Sequence, residues 1–363
     1  MARSDAALLM DRRRLCGAAA LLAITPPSPA WAQRAASGVH WPVASPVLAA
    51  QHQRALARLD ERIRTQLTDV QSVVVLHRGQ LAFEFYRAGL TADSLQDTQS
   101  VTKSVLALLF GIAQAGGLVR GPDQLVALRL PEMLRLGADA RVRQLRFEHL
   151  LGMTAGWPGE QSARRDRDDD LRQLVRRPFV ADPGARFAYD NGAANLLALA
   201  LANAVGQPLS SYARQRLFEP LGIRHFAWRQ GAQGHDLGAL GLSLSTRAIA
   251  RIGELVLHQG QWQGRALLPA AFVRAATERR SAGGPPLDAA YGYLWWVAST
   301  APSRKSERRT TMANGYGGQW IYVVPALELV VAATSRRTPE SAARGQALTL
   351  IRRDILPALQ RLR

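Results

Sequence analysis

The chain of 363 residues has one cysteine, Cys16, and two lysines, Lys103 and Lys305, set against 44 arginines. With Cys16 inside a segment expected to be cleaved, the mature protein has no disulfide, no zinc–thiolate site and no cysteine nucleophile. The seven histidines are dispersed along the chain, so no histidine cluster of zinc-hydrolase spacing is expected and no metal is called for. No G-x-S-x-G sequence occurs, which excludes the nucleophile elbow of an α/β-hydrolase. The longest apolar run near the N-terminus, Leu15 to Ile24, is too short to span a bilayer. No internal repeat is present.

What is there begins with a leader. Arg12-Arg13-Arg14 precedes the apolar run, then come Thr25-Pro26-Pro27 and Ala30-Trp31-Ala32. A basic region, a short apolar segment and an A-x-A site predict a secretory signal over residues 1–32, with a periplasmic mature protein. The paired arginines also suit the twin-arginine route. Residues 33–363 exceed what one compact core usually covers, so two interleaved lobes are expected. The net charge of +18 falls to +16 without the leader. The arginines are scattered and form no basic arm with interleaved aromatics, which argues against nucleic acid and leaves a loose attraction to anionic envelope surfaces.

Pro46 to Thr68 has the apolar spacing of an amphipathic helix. Ser72 to Leu76 and Leu81 to Tyr86 read as a hairpin, and a helix led by Ser100 stops at Gly116-Gly117. From about Gly121 to Pro285 the pattern is mainly helical with long loops, including helices over Ala193–Val205 and Ser245–Gln259. Strand character returns at Tyr291–Ala298, Gln319–Val324 and Glu328–Ala333, and a helix over Glu340–Leu362 closes the chain. The fold class expected is α+β. One antiparallel sheet is built from both termini with flanking helices (about 45–120 and 286–363), and an α-helical lobe (about 121–285) is inserted.

A chain that uses arginine almost everywhere for positive charge has lysine in Thr98-Gln99-Ser100-Val101-Thr102-Lys103-Ser104. Lysine can lose its proton when desolvated, whereas arginine effectively cannot. Residues three apart share a helix face, so Ser100 and Lys103 pair a candidate nucleophile with a candidate base. Downstream, Pro183-Gly184 leads to Tyr189-Asp190-Asn191-Gly192, where an extended segment aims Tyr189 and Asn191 to one side. Taken alone, Tyr-x-Asn is a very weak signal, and a buried tyrosine with a satisfied hydroxyl is the commoner case. The third stretch, Ala313-Asn314-Gly315-Tyr316-Gly317-Gly318-Gln319, enters a strand, and its glycines suit close approach of a backbone or ligand.

In this order the pieces resemble the serine β-lactamase-like hydrolases of the class C and penicillin-binding-protein superfamily. The resemblance covers nearly the whole mature chain and includes His149-Leu150-Leu151-Gly152-Met153-Thr154-Ala155-Gly156, Glu219-Pro220-Leu221-Gly222-Ile223, Gly241-Leu242-Ser243, Gly260-Gln261-Trp262 and Tyr291-Gly292-Tyr293-Leu294-Trp295-Trp296. It implies a β-lactamase/transpeptidase-like fold and an acyl-enzyme on Ser100, with Lys103 and Tyr189 moving protons. It implies that Asn191 orients Lys103 and the substrate, and that the backbone at Ser100 and at Gly315-Tyr316 forms the oxyanion hole, with no cofactor. Where β-lactamases and transpeptidases carry Lys-Thr-Gly, this chain reads Ala313-Asn314-Gly315, so the cation that meets a substrate carboxylate is replaced by a methyl group. The glycine-rich continuation resembles esterase and 6-aminohexanoate-dimer-hydrolase members. The expected activity is therefore cleavage of a small ester or amide. A β-lactamase or D-Ala-type peptidase on the same residues is the alternative. A non-catalytic cell-wall scaffold is the alternative of another class, opposed by the presence of Ser100, Lys103, Tyr189 and Asn191 together.

Overall fold

The computed structural model describes residue 41 and residues 45–159, 169–298 and 310–362. The expected leader, residues 1–32, lies outside the described residues. Four valines make Val70–His77 (β1) a strand buried at every position but Gln71, which is how a central strand covered on both faces reads. It turns through Arg78-Gly79, both at positive φ (54° and 70°), into Gln80–Tyr86 (β2), matching a two-residue hairpin turn.

Six more strands join them: Ser281–Gly284 (β3), Ala289–Tyr291 (β4), Trp296–Val297 (β5), Thr311–Gly315 (β6), Gln319–Val324 (β7) and Leu329–Ser335 (β8). The sheet order is β2-β1-β8-β7-β6-β5-β4-β3, with every pair antiparallel. Chain ends thus meet at the centre, where Val73 sits opposite Ala333. This is the β-lactamase/transpeptidase-like fold that the sequence implied.

The helices that matter for the site are Pro46–Leu56 (α1), Val101–Ala115 (α2), Asn191–Val205 (α3) and Thr246–Leu257 (α4). Every residue of α2 from Val101 to Ala113 is buried, so it is a central helix, apolar on every side beyond the polar first turn of Thr102, Lys103 and Ser104, rather than a surface one. Its packing is tight: a Cβ at Gly111 would stand 2.3 Å from the Phe272 ring. On α4, a Cβ at Gly253 would stand 2.5 Å from the Val330 side chain, which seats that helix closely on β8.

Three stretches depart from the sequence reading. The helix expected over Pro46–Thr68 is interrupted at Ala57-Arg58 and resumes over Leu59–Thr65. Tyr291–Ala298 is two strands folded back at Gly292–Trp295, where Gly292 N–H donates to Trp295 O at 2.9 Å. The C-terminal helix is broken at Gly345, whose φ of 56° ends Pro339–Arg344 as a left-handed cap. The short edge strand Ser281–Gly284 was not legible, since Ser-Ala-Gly-Gly carries no apolar alternation.

His52 on α1 and His77 at the end of β1 are both buried, and their rings are hydrogen-bonded at 2.9 Å. Burial, then the neighbouring His52 and Arg78, push the His77 imidazole down to about 4. The fold therefore prefers neutral His77, while the unfolded chain takes up a proton near pH 6.5. The stability linked to His77 is complete above pH 6.5 and is lost as pH falls towards 4, by up to roughly 3 kcal/mol. Urea midpoints at pH 7 and pH 4.5 should fall more for the parent than for His77→Gln. Equal falls would show that this pair does not set acid sensitivity.

Candidate active site

Ser100 is the N-cap of α2 and makes no capping bond with its own side chain, which leaves its hydroxyl for other work. Gln99 before it adopts φ 53°, and this sharp entry is pinned by Asp97 Oδ1 accepting the Gln99 N–H at 3.0 Å. Thr102 holds the same turn, donating to Gln99 O at 2.7 Å and accepting Leu242 N–H at 3.2 Å. Ser104 ties the opposite side of the helix to Leu294 O at 2.6 Å. The serine therefore stands on a braced corner.

One turn on, Lys103 is 1% exposed. Its Nζ donates to Ser100 Oγ at 3.1 Å, to Asn191 Oδ1 at 2.7 Å and to the Ala239 carbonyl at 2.7 Å. The same Nζ lies 5.0 Å from the centroid of the Tyr189 ring. Ser100, Lys103, Tyr189 and Asn191, separated by up to 91 positions, are thus brought into one cluster.

Asn191 is the first residue of α3, capped by Asp190. Four residues on, Asn195 Oδ1 accepts both Gly238 N–H and Ala239 N–H at 2.9 Å. That holds the loop whose carbonyl meets Lys103. Tyr189 stacks on Trp296 (5.7 Å, 21°) and meets Tyr291 edge-on at 6.3 Å, and Phe187 packs against the same two rings. Burial pushes the Tyr291 phenol well up, so Tyr291 serves as a fixed wall and keeps its proton. Neither Ala239, Asn195 nor this aromatic wall was identified from sequence. Asn195 alone left a signal, one helical turn beyond Asn191.

The end of β6 closes the other side. A Cβ on Gly315 would stand 2.3 Å from Thr98 O and 3.0 Å from Gln99 Cβ, so only glycine lets this strand lie against the corner that carries Ser100. Tyr316 follows at 48% exposure. Ala313 is fully buried opposite Ile321. Two arginines reach the segment before Ser100, Arg229 and Arg337, and both are held by Asp97 at 3.3 and 2.8 Å.

Among the described residues, no group of three or more histidines or carboxylates is placed to hold a metal ion, and no helix is long and apolar enough to cross a membrane. A polar pocket of about 640 Å³ lined by Arg129, Asn203, His235 and Asp236 shares no residue with the Ser100 cluster.

The profile of the Beta-lactamase family matches residues 57–354. In sequence, the chain is 25% identical over 141 residues to a "Putative D-alanyl-D-alanine carboxypeptidase" of Escherichia coli K12, covering 35% of this chain and 32% of that one. The chain thus spans about a third of the length of that relative. In structure it is similar to EstCE1, a hydrolase with promiscuous acyltransferase activity (TM-score 0.69, 17% identity, 86% of this chain and 99% of that one). It is also similar to a "Putative 6-aminohexanoate-dimer hydrolase" from Bacillus anthracis (TM-score 0.64, 19% identity, 80% of each chain). A third likeness is to a penicillin-binding protein homolog from Caulobacter crescentus (TM-score 0.64, 18% identity, 85% and 98%).

Proposed function

The chain belongs to the Beta-lactamase family, and from that membership we propose a serine hydrolase that cleaves small carboxylic esters and amides through an acyl-enzyme on Ser100. The observation that carries the proposal is Lys103, buried and bonded at once to Ser100 Oγ and Asn191 Oδ1. A nucleophile and a base in hydrogen-bond contact, the base held by a third group, is the arrangement of an activated hydroxyl.

In this reading the Lys103–Tyr189 pair starts one proton short, with the Lys103 lone pair or the Tyr189 phenolate facing Ser100 Oγ. That oxygen attacks the substrate carbonyl as its own proton passes to the pair. Tyr189 then returns the proton to the leaving group. The backbone N–H groups of Ser100 and Tyr316 receive the developing oxyanion, the first aided by the positive end of α2. Water, activated by the same pair, releases the acyl group. The reading includes export, because residues 1–32 carry a basic, an apolar and a small-residue region in the order of a secretory signal.

The preference for neutral substrates rests on Ala313. Its methyl group offers no cation at that position, although Arg229 and Arg337 share the single carboxylate of Asp97 and so leave one net positive charge beside the segment before Ser100. A substrate carboxylate entering unpaired costs on the order of 1–3 kcal/mol, and each 1.4 kcal/mol is about tenfold in rate. For the parent enzyme, kcat/KM on p-nitrophenyl butyrate should exceed that on nitrocefin by about tenfold or more. Faster turnover of nitrocefin would show that Ala313 does not set the preference. The name of the E. coli relative favours a D-alanyl peptide as the amide to include in the same panel.

A further inference from the structure

Asp190 stands between Tyr189 and Asn191, on extended backbone (φ −144°, ψ 116°), so its carboxylate points to the opposite side of the segment from the Tyr189 phenol. There it meets Arg177. The two side chains are 2% and 4% exposed, and both carboxylate oxygens accept from one nitrogen, Arg177 Nη1, at 2.8 and 2.6 Å. Asp190 Oδ1 also accepts the Gly192 N–H at 2.9 Å.

The arginine is itself fixed. Its Nε donates to Leu174 O at 2.9 Å and its guanidinium lies 3.8 Å from the centroid of the Trp157 ring, which packs against Phe179. A Cβ at Gly192 would stand 2.7 Å from Arg177 Nη1, so the helix start is shaped around this guanidinium. The residue before Tyr189 is held too, with Ala188 N–H donating to Met153 O at 2.8 Å.

Stability alone is a poor reason for such a pair. Taking two charges out of water costs about as much as their attraction returns, and an apolar pair of similar volume is often as good. What an apolar pair does not supply is a directional hold on one backbone segment. We propose that the Arg177–Asp190 pair is a positioning device for the reaction. It fixes the peptide from which Tyr189 and Asn191 project, so that both groups meet Lys103 and Ser100 at working distance. The proposal rests on the reading in which those four residues serve hydrolysis. Arg177 and Asp190 touch no substrate in it.

The test compares Arg177→Met, Arg177→Lys and Asp190→Asn with the parent on p-nitrophenyl butyrate. Rates are expressed per site that reacts with a fluorophosphonate, and thermal midpoints are recorded alongside. Arg177→Met should lower kcat per reactive site by about a hundredfold, the loss expected when reacting groups shift by about 1 Å, with KM little changed. Asp190→Asn, which keeps the Gly192 acceptor and the volume, should also lower kcat. Arg177→Lys should recover part of the rate, because its ammonium keeps the charge facing both oxygens while losing the Leu174 bond and ending about one bond length short of Nη1. A merely structural pair would lower the thermal midpoint and the number of reactive sites while each remaining site turned over at the parental rate. That result in Asp190→Asn or Arg177→Met overturns the proposal, as does a folded Arg177→Lys no faster than Arg177→Met. Failure of the parent itself to react at Ser100 would instead overturn the reading on which it rests.

Discussion

Ser100→Ala should abolish turnover of every substrate, by about 10⁴-fold or more, leaving only what binding and the oxyanion donors supply. The fold should be unaffected. Ser100 occupies the N-cap of α2 yet makes no side-chain capping bond, so the usual cost of losing a cap does not arise. Lys103 keeps its bonds to Asn191 and to the Ala239 carbonyl, and α2 stays buried along its length. A change in stability within about 0.5 kcal/mol is expected. The parent should be labelled by a fluorophosphonate at Ser100 and the variant nowhere. Labelling at another serine, with the variant still turning over substrate, would remove Ser100 from the mechanism.

The frame of this protein was legible because the strands that build its centre are the most apolar. Val73-Val74-Val75-Leu76 and Leu329-Val330-Val331 are buried on both faces, and runs of that kind announce themselves without context. The outer strands were only partly legible: Tyr291–Ala298 reads as one strand where the structure has two, and Ser281–Gly284 exists only through its partner. At the site, Ser100 and Lys103 were legible because lysine is rare here and the spacing brings the two side chains onto one face. Tyr189 and Asn191 needed the family resemblance, since the pattern alone fits any buried tyrosine.

What escaped was whatever acts through the main chain or over long separations. The Ala239 carbonyl that receives Lys103 has no side-chain signature. Arg177 is one of 44 arginines, and nothing local marks it as the partner of Asp190. The positive φ of Gln99, which sets the corner under Ser100, is a property of the packed turn and of no residue type.

Lys103→Arg should be nearly as damaging as Lys103→Ala, although it keeps the charge. Lys103 fits a site 1% exposed, with three acceptors at 3.1, 2.7 and 2.7 Å around a single nitrogen. Arginine brings a planar group with five donors into that space. Donors left without partners cost about 1–3 kcal/mol each. The larger head must also displace Asn191 or the Ala239 loop, which Asn195 holds in place. Even a well-seated guanidinium cannot take up the Ser100 proton, because it does not deprotonate in proteins. Both variants should lose about 10³-fold or more in kcat/KM, with Lys103→Ala the better folded if crowding dominates the arginine variant. Measuring kcat/KM on p-nitrophenyl butyrate beside the thermal midpoint separates the two effects. An arginine variant that folds like the parent and keeps more than about a tenth of its rate would show that Lys103 acts as a fixed positive charge. Proton transfer from Ser100 would then fall to Tyr189 alone.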